Sequence, residues 1–204
     1  MSKDPSSFWE ACTNDTPGNA PKEYAKHIER SIALTKEFEE LSIDPHSTIL
    51  EIGCNSCRNL AKLYAEGYSN LTGFDVCPAA ISSSKELFPK LSAHTFVGKA
   101  PESLGLLTTK FDVVFTMAVL MHLSTDAQNK TLDWIKDNTK IFIGIERGSK
   151  SGYKYREAKA GNVCNPIDLT QPLIDRGFKI VKCEEFEVLR TKRGNYTITV
   201  ASKI

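Results

Sequence analysis

Short apolar runs alternate with amphipathic stretches along most of this chain. From about Glu23 to Leu41, Tyr24, Ile28, Ile32 and Phe38 recur near helical spacing with charges between them, which predicts a helix. Asp44-Pro45-His46 breaks it. Thr48 to Ile52 is β-branched and apolar, the pattern of a buried strand, and Asn59 to Ala65 reads as a helix. Leu71 to Phe74 predicts a second strand ending at Asp75, and Pro78 to Leu87 a helix with proline in its first turn. His94 to Val97 and Phe111 to Phe115 read as the third and fourth strands, Ala127 to Lys136 as a helix, and Lys140 to Ile145 as a fifth strand. Leu169 to Asp175 is a short helix closed by Gly177. Phe178 to Val188 and Tyr196 to Val200 follow as two strands separated by Lys192-Arg193-Gly194-Asn195.

Strands alternating with helices predict an α/β fold with a mostly parallel sheet and helices on both faces. The last two strands have no helix between them, so they should form an antiparallel hairpin. The first twenty or so residues are turn-rich, with Asp15, Pro17, Gly18, Asn19 and Pro21, and Phe8 and Trp9 as apolar anchors. We expect residues 1–44 to be an N-terminal lead and helical cap, and 45–204 to be the main domain. A chain of 204 residues suits one α/β domain with a substantial core.

Charge and composition remove several classes of function. The net charge is +1, from 26 basic and 25 acidic residues, which provides no global field to hold a nucleic acid. No apolar run approaches the roughly 20 residues needed to span a bilayer, and Met1-Ser2-Lys3-Asp4-Pro5-Ser6 lacks the apolar core of a secretory signal. A cytoplasmic protein without a membrane partner is expected, as a monomer or homodimer. The six cysteines do not form the dense framework of a small secreted protein. No metal site is expected: one C-x-x-C is present, and His27, His46, His94 and His122 have no paired spacing to complete four ligands.

The segment Ile49-Leu50-Glu51-Ile52-Gly53-Cys54-Asn55-Ser56-Cys57-Arg58-Asn59-Leu60 carries the most chemistry. In doubly wound sheets, ligands bind outside the carboxyl ends of the strands, where strand order reverses. Gly53 lets the backbone approach a ligand closely, and Glu51 puts a charge at the end of an apolar strand, where a cationic partner would offset its burial. The loop lacks the glycines that accommodate a pyrophosphate. Asp75 ends the second strand about 20 residues later, the spacing at which an acidic residue reaches ribose hydroxyls. The competing interpretation is a tight turn that binds nothing, with Asp75 a surface turn residue.

These residues resemble the class I, seven-stranded methyltransferases. Ile49 to Gly53 is similar to the family's first motif, Gly73-Phe74-Asp75 to its second, and Phe111 to Phe115 with Thr116 to Leu123 to its fourth. Phe178 to Val181 and Tyr196 to Val200 resemble its closing hairpin. The resemblance covers roughly residues 45 to 202. It implies a Rossmann-like three-layer sandwich with a seven-stranded sheet and S-adenosylmethionine as cofactor, and the near-neutral charge favours a small-molecule acceptor. The chain departs from the family where further glycines are common and it has Asn55 and Cys57. It also departs after the third strand, where an acidic residue is often found and it has Lys99. A narrower similarity, through Gly53 to Leu60, Phe8-Trp9-Glu10, Val119 to His122 and Tyr155-Arg156, links it to methylases associated with nonulosonic (pseudaminic-type) sugar biosynthesis, hence a sugar or sugar-acid acceptor.

The resemblance implies cofactor contacts from Glu51, Gly53, Cys54, Asn55, Asp75, Val76, Lys99, Ala100, Met117 and Leu120. His122 is a candidate general base because an unperturbed histidine titrates near neutrality; a satisfied structural histidine is the alternative. Glu146, at the end of the fifth strand, is a second catalytic candidate. Trp9, Tyr155 and Arg156 are candidate acceptor contacts, the last because arginine gives bidentate bonds to carboxylates and phosphates. Three other functions compete. They are a non-catalytic cofactor-binding protein, a protein or RNA methyltransferase, and a thiol-disulfide protein using Cys54-Asn55-Ser56-Cys57 at a helix N-terminus.

Overall fold

A computed structural model of the chain describes residues 6–17, 19–148, 156–157, 163–164, 167–186 and 196–203. Five strands come first: β1 (Ile49–Ile52), β2 (Leu71–Asp75), β3 (His94–Val97), β4 (Phe111–Met117) and β5 (Thr139–Arg147). A small ladder pairs β6 (Arg156–Glu157) with β7 (Val163–Cys164), and β8 (Lys179–Phe186) and β9 (Tyr196–Ser202) close the chain. Seven of them form one sheet in the order β3-β2-β1-β4-β5-β9-β8. β1 to β5 run parallel, and β9 lies antiparallel to both β5 and β8. This is the Rossmann-like sheet with a terminal antiparallel hairpin expected from the sequence.

Helices cover both faces, so the central strands must be apolar on both. All four residues of β1 are buried. Ile49 packs in one core with Leu34, Phe38, Leu60, Leu63 and Phe115; its neighbour Leu50 packs in the other with Val114, Leu132, Ile135, Phe142 and Leu173. Leu34 and Phe38 belong to α3 (Ile28–Glu40), and Leu60 and Leu63 to α4 (Arg58–Ala65). α3 therefore shares the core of the sheet. Ser124 starts the helix after β4, Thr125–Asn138, by accepting the Ala127 N–H at 3.2 Å.

The segment expected as one helix over Glu23–Leu41 is two, Pro21–Tyr24 and α3, and its buried face differs from expectation. Ile28 and Ile32 are 56% and 51% exposed. The face turned inward carries Arg30, Ser31, Leu34, Thr35, Glu37 and Phe38. Its polar members have partners: Ser31 donates to Asn59, Arg30 to the Tyr196 hydroxyl, and the Lys182 ammonium donates to Glu37. An apolar-periodicity argument could not find a helix face chosen by polar contacts.

Candidate cofactor and acceptor site

Strand order reverses between β1 and β4, which places a crevice at their carboxyl ends. Glu51 enters it from β1, in register with Gly73 of β2 and Phe115 of β4. Its side chain is 1% exposed. Oε1 accepts the Asn59 Nδ2–H at 2.6 Å, while Oε2 is buried and has no hydrogen-bond partner among the described residues. Burial pushes the Glu51 carboxyl up to about 8, against the lowering influence of Asn59 and Arg58.

The loop after β1 turns through three left-handed residues, Gly53 (φ 75), Asn55 (φ 47) and Cys57 (φ 63). The two positions where the chain departs from the family's glycines therefore keep a backbone that glycine favours. Asn55 supports this conformation with its own side chain, whose Oδ1 accepts the Ser56 N–H at 2.8 Å. A Cβ added at Gly53 would come within 2.4 Å of Val119 Cγ2, so the loop packs tightly on the segment after β4.

Asp75 fastens the same loop to the second motif. Oδ2 accepts the Asn55 N–H at 2.8 Å and Oδ1 accepts the Cys77 N–H at 2.9 Å. Burial raises its pKa, and these backbone donors oppose the rise. Each carboxylate oxygen keeps a further acceptor direction. Val76 beside it is half-buried, and Ala100 is buried. The Lys99 N–H donates to Ser103 Oγ, and its ammonium pairs with Glu10 at 3.5 Å.

The N-terminal segment folds across this edge. Cys77 Sγ donates to the Cys12 carbonyl, Ser56 Oγ to the Pro21 carbonyl and Arg58 Nη1 to the Tyr24 carbonyl. The Trp9 ring lies 5.1 Å from the His122 ring, and the Trp9 indole N–H is buried without an acceptor among the described residues. His122 itself is 9% exposed, in the short turn Leu120–His122.

Several expectations require correction. Both oxygens of Glu146 serve the backbone: Oε1 accepts the Val119 and Leu120 N–H groups at 3.1 Å, and Oε2 accepts that of Met121 at 3.2 Å. At 1% exposure it clamps the turn carrying His122 from within, and burial raises its pKa against these backbone donors. Leu120 is fully buried in the core with Leu50 and Ile52, and Cys54 packs inward beside Cys57, so neither side chain lines the crevice. The Met117 sulfur accepts from Arg58 at 3.1 Å and from Asn59 at 3.4 Å. Tyr155 lies outside the described residues, and Arg156 is described only as a strand residue.

The Cys54 and Cys57 sulfurs stand 3.7 Å apart as free thiols, both buried. Burial pushes the Cys54 thiol well up, whereas a redox-active thiol needs its pKa lowered. Among the described residues, no group of His, Cys, Asp and Glu side chains is placed to share a metal ion, and no helix is long and apolar enough to cross a membrane. Sequence reasoning missed Arg30, Arg58, Asn59, Arg147 and Tyr196. Arg58-Asn59 directly follows the loop, and Arg30 interrupts the α3 periodicity; those were the available signals.

The sheet order and this edge have the Rossmann-like fold of the S-adenosylmethionine-dependent methyltransferases. Residues 49–140 match the family described as a methyltransferase domain. No curated relative matches. Among solved structures, a magnesium protoporphyrin IX methyltransferase from Synechocystis with bound S-adenosylmethionine superposes with TM-score 0.68 at 16% identity, covering 100% of this chain and 93% of that one. An S-adenosylmethionine-dependent methyltransferase from Methanosarcina mazei gives 0.64 at 18% identity, with 79% and 94% covered. The [4+2]-cyclase SpnF gives 0.66 at 14%, with 85% and 81% covered. The site residues fit the cofactor of this class. The orphaned Glu51 oxygen suits an ammonium, and Asp75 keeps acceptor directions for hydroxyls.

Proposed function

We propose that the protein transfers the methyl group of S-adenosylmethionine to a small-molecule acceptor, a sugar or sugar acid, in the cytoplasm. The observation that carries this reading is the pair of buried carboxylates, Glu51 and Asp75, facing one crevice with an acceptor oxygen of Glu51 unused. Glu51 would hold the cofactor's amino group and Asp75 its ribose, with Gly53, Asn55 and Val76 lining the same pocket. Lys99 and Ala100 would stand at the adenine end, and Met117 beside the methionine portion. The bound cofactor supplies a methyl group already activated by a sulfonium. The protein's own task is to align the acceptor and to exclude water. Trp9, laid over the edge against His122, suits the second task, and its unpaired indole N–H is a donor for the acceptor. His122 takes a proton where the acceptor's nucleophile must lose one.

Among the described residues, the buried free cysteines Cys12, Cys54, Cys57 and Cys77 suit a reducing compartment. Calorimetry with S-adenosylhomocysteine on the purified chain tests the cofactor assignment. A saturable one-to-one isotherm is expected, and no heat at millimolar ligand would refute it. A product assay over sugars and small acids then separates an enzyme from a non-catalytic binder.

A further inference from the structure

The N-terminal segment is built differently from the body it crosses. The described residues 6–17 supply no strand to the sheet, and their helix, Ser6–Glu10, has five residues, too few to hold itself together in water. Phe8, Trp9 and Cys12 pack with Cys77, Ala79 and Ala80 in a small cluster separate from the two cores of the sheet. Polar ties join the segment to the body at its rim. Cys77 Sγ donates to the Cys12 carbonyl at 3.3 Å, Ser83 Oγ donates to Asn14 Oδ1 at 3.0 Å, and the Lys99 ammonium pairs with Glu10 at 3.5 Å. Further along, the chain is fastened to the cofactor loop itself: the Pro21 carbonyl accepts from Ser56 Oγ at 3.3 Å and the Tyr24 carbonyl from Arg58 Nη1 at 2.9 Å.

These contacts span the mouth of the crevice. Cys77 follows β2, Lys99 follows β3, and His122, whose ring meets the Trp9 ring at 5.1 Å, follows β4. With the segment in place, Glu51 and Asp75 are 1% and 9% exposed, so a ligand reaches them only after something moves. The sheet and its cores are poor candidates for that movement, because opening them unfolds the protein. The segment is a good one. Closed, it buries the Trp9 indole N–H, which has no acceptor among the described residues. A buried unpaired donor is costly, and hydration recovers that cost when the segment lifts. Units held by few apolar contacts open by themselves, well below the free energy of global unfolding.

We propose that residues 6–17 are a lid that gates the cofactor site. It lifts to admit or release the cofactor while Pro21 and Tyr24 stay tied to Ser56 and Arg58, and it shuts with Trp9 against the turn that bears His122. This rests on the crevice being a methyltransferase site. Glu10 and Asn14 join the lid to the body and are themselves assigned no ligand contact. Weakening their bonds therefore destabilises the closed lid in the empty and the loaded protein alike. Association and dissociation of the cofactor then speed up together, and affinity stays. A fixed wall of the site behaves otherwise, because weakening it raises dissociation alone and lowers affinity.

The test follows S-adenosylhomocysteine binding to the full chain by stopped-flow tryptophan fluorescence, in the wild type and in the double variant E10Q/N14A. Losing one exposed ion pair and one hydrogen bond should raise both rate constants by about threefold to seventyfold. Kd should change less than about threefold. Amide exchange supplies a second readout, on the empty chain. The Ala11, Cys12 and Thr16 N–H groups bond within the lid, to the Ser7, Trp9 and Thr13 carbonyls. They should exchange at least about a hundredfold faster than the Ile49–Ile52 amides of β1, and the double variant should speed them by the factor seen in the rates. Lid amides that exchange no faster than those of β1 would overturn the proposal, since the segment would then open only with the whole fold. Unmoved rates, or a rise in dissociation alone with lost affinity, would overturn it too. If the double variant does not fold, the wild-type exchange pattern decides. A wild type that fails to bind S-adenosylhomocysteine at all sinks the methyltransferase reading first and the gate with it, a result distinct from intact binding with unmoved rates.

Discussion

Cofactor binding should expel a proton from Glu51, and the size of this effect follows from the structure. In the protein alone its carboxyl is raised from 4.5 to about 8 by burial, and Oε2 has no donor. At pH 7 about nine in ten molecules then carry the proton. An ammonium placed on Oε2 favours the charged carboxylate and brings its pKa back towards the ordinary range. Binding at pH 7 should therefore release close to ~0.9 proton per site. Affinity for S-adenosylhomocysteine should fall about tenfold for each pH unit below 8, down to about pH 6. Calorimetry in buffers of low and high ionisation enthalpy measures the release directly. Glu51→Gln should abolish it and flatten the affinity profile. The stability of the cofactor-free chain supplies a second readout. The folded pKa lies above the unfolded one, so the Glu51 contribution is complete below about 4.5 and is lost as pH rises through about 8. The wild type should therefore lose about 5 kcal/mol relative to Glu51→Gln across that window, at most. Binding enthalpies that do not depend on the buffer, or equal proton release in Glu51→Gln, would refute the reasoning.

Asp75→Ala should leave the Asn55 and Cys77 N–H groups without their acceptors, at about 1–3 kcal/mol each, and should weaken S-adenosylhomocysteine binding at least tenfold. Unchanged affinity in calorimetry would rule out its role in holding ribose. Glu146→Gln keeps one acceptor oxygen where the backbone uses two, so one of the Val119, Leu120 and Met121 N–H groups must lose its partner. Thermal or denaturant unfolding should register a loss of about 1–3 kcal/mol. A variant as stable as wild type would remove the clamp.

Much of the architecture was legible because it rests on burial. Each central strand appears in the sequence as a compact apolar run, since helices cover both of its faces. Asp75 stood out through its spacing from the first motif. The arginines around Tyr196 were hidden for a different reason. Arg30 is separated from Tyr196 by most of the chain, and only sheet order brings β5 and β9 together beneath α3. The contacts of Glu146 were not legible because a carboxylate at a strand's carboxyl end reads the same whether it faces a ligand or three backbone amides. The α3 face was misjudged because Ser31 and Glu37 are buried by their polar partners.

The two ends of the sheet show why the site belongs where it does. At the amino ends, Asp112 is fully satisfied: Oδ1 takes the Lys140 ammonium at 2.7 Å, and Oδ2 takes the Thr48 N–H and hydroxyl, each at 2.9 Å. At the carboxyl ends local rules are broken repeatedly. Cys57 and Ala118 are left-handed without being glycine, each at roughly 1–2 kcal/mol, and Asn55 is left-handed with its own side chain bonded to the Ser56 N–H. The Glu51 oxygen and the Trp9 indole N–H are buried without partners. Arg30 and Arg147 crowd one hydroxyl. Selection for stability alone would favour glycine in these turns and uncharged side chains in this pocket. Strain tends to collect at functional sites, and here Asn55, Cys57 and Ala118 lie on the two loops that flank the strand-order reversal. A ligand that supplied an ammonium and hydroxyls would partner the Glu51 oxygen and the remaining acceptor directions of Asp75 together.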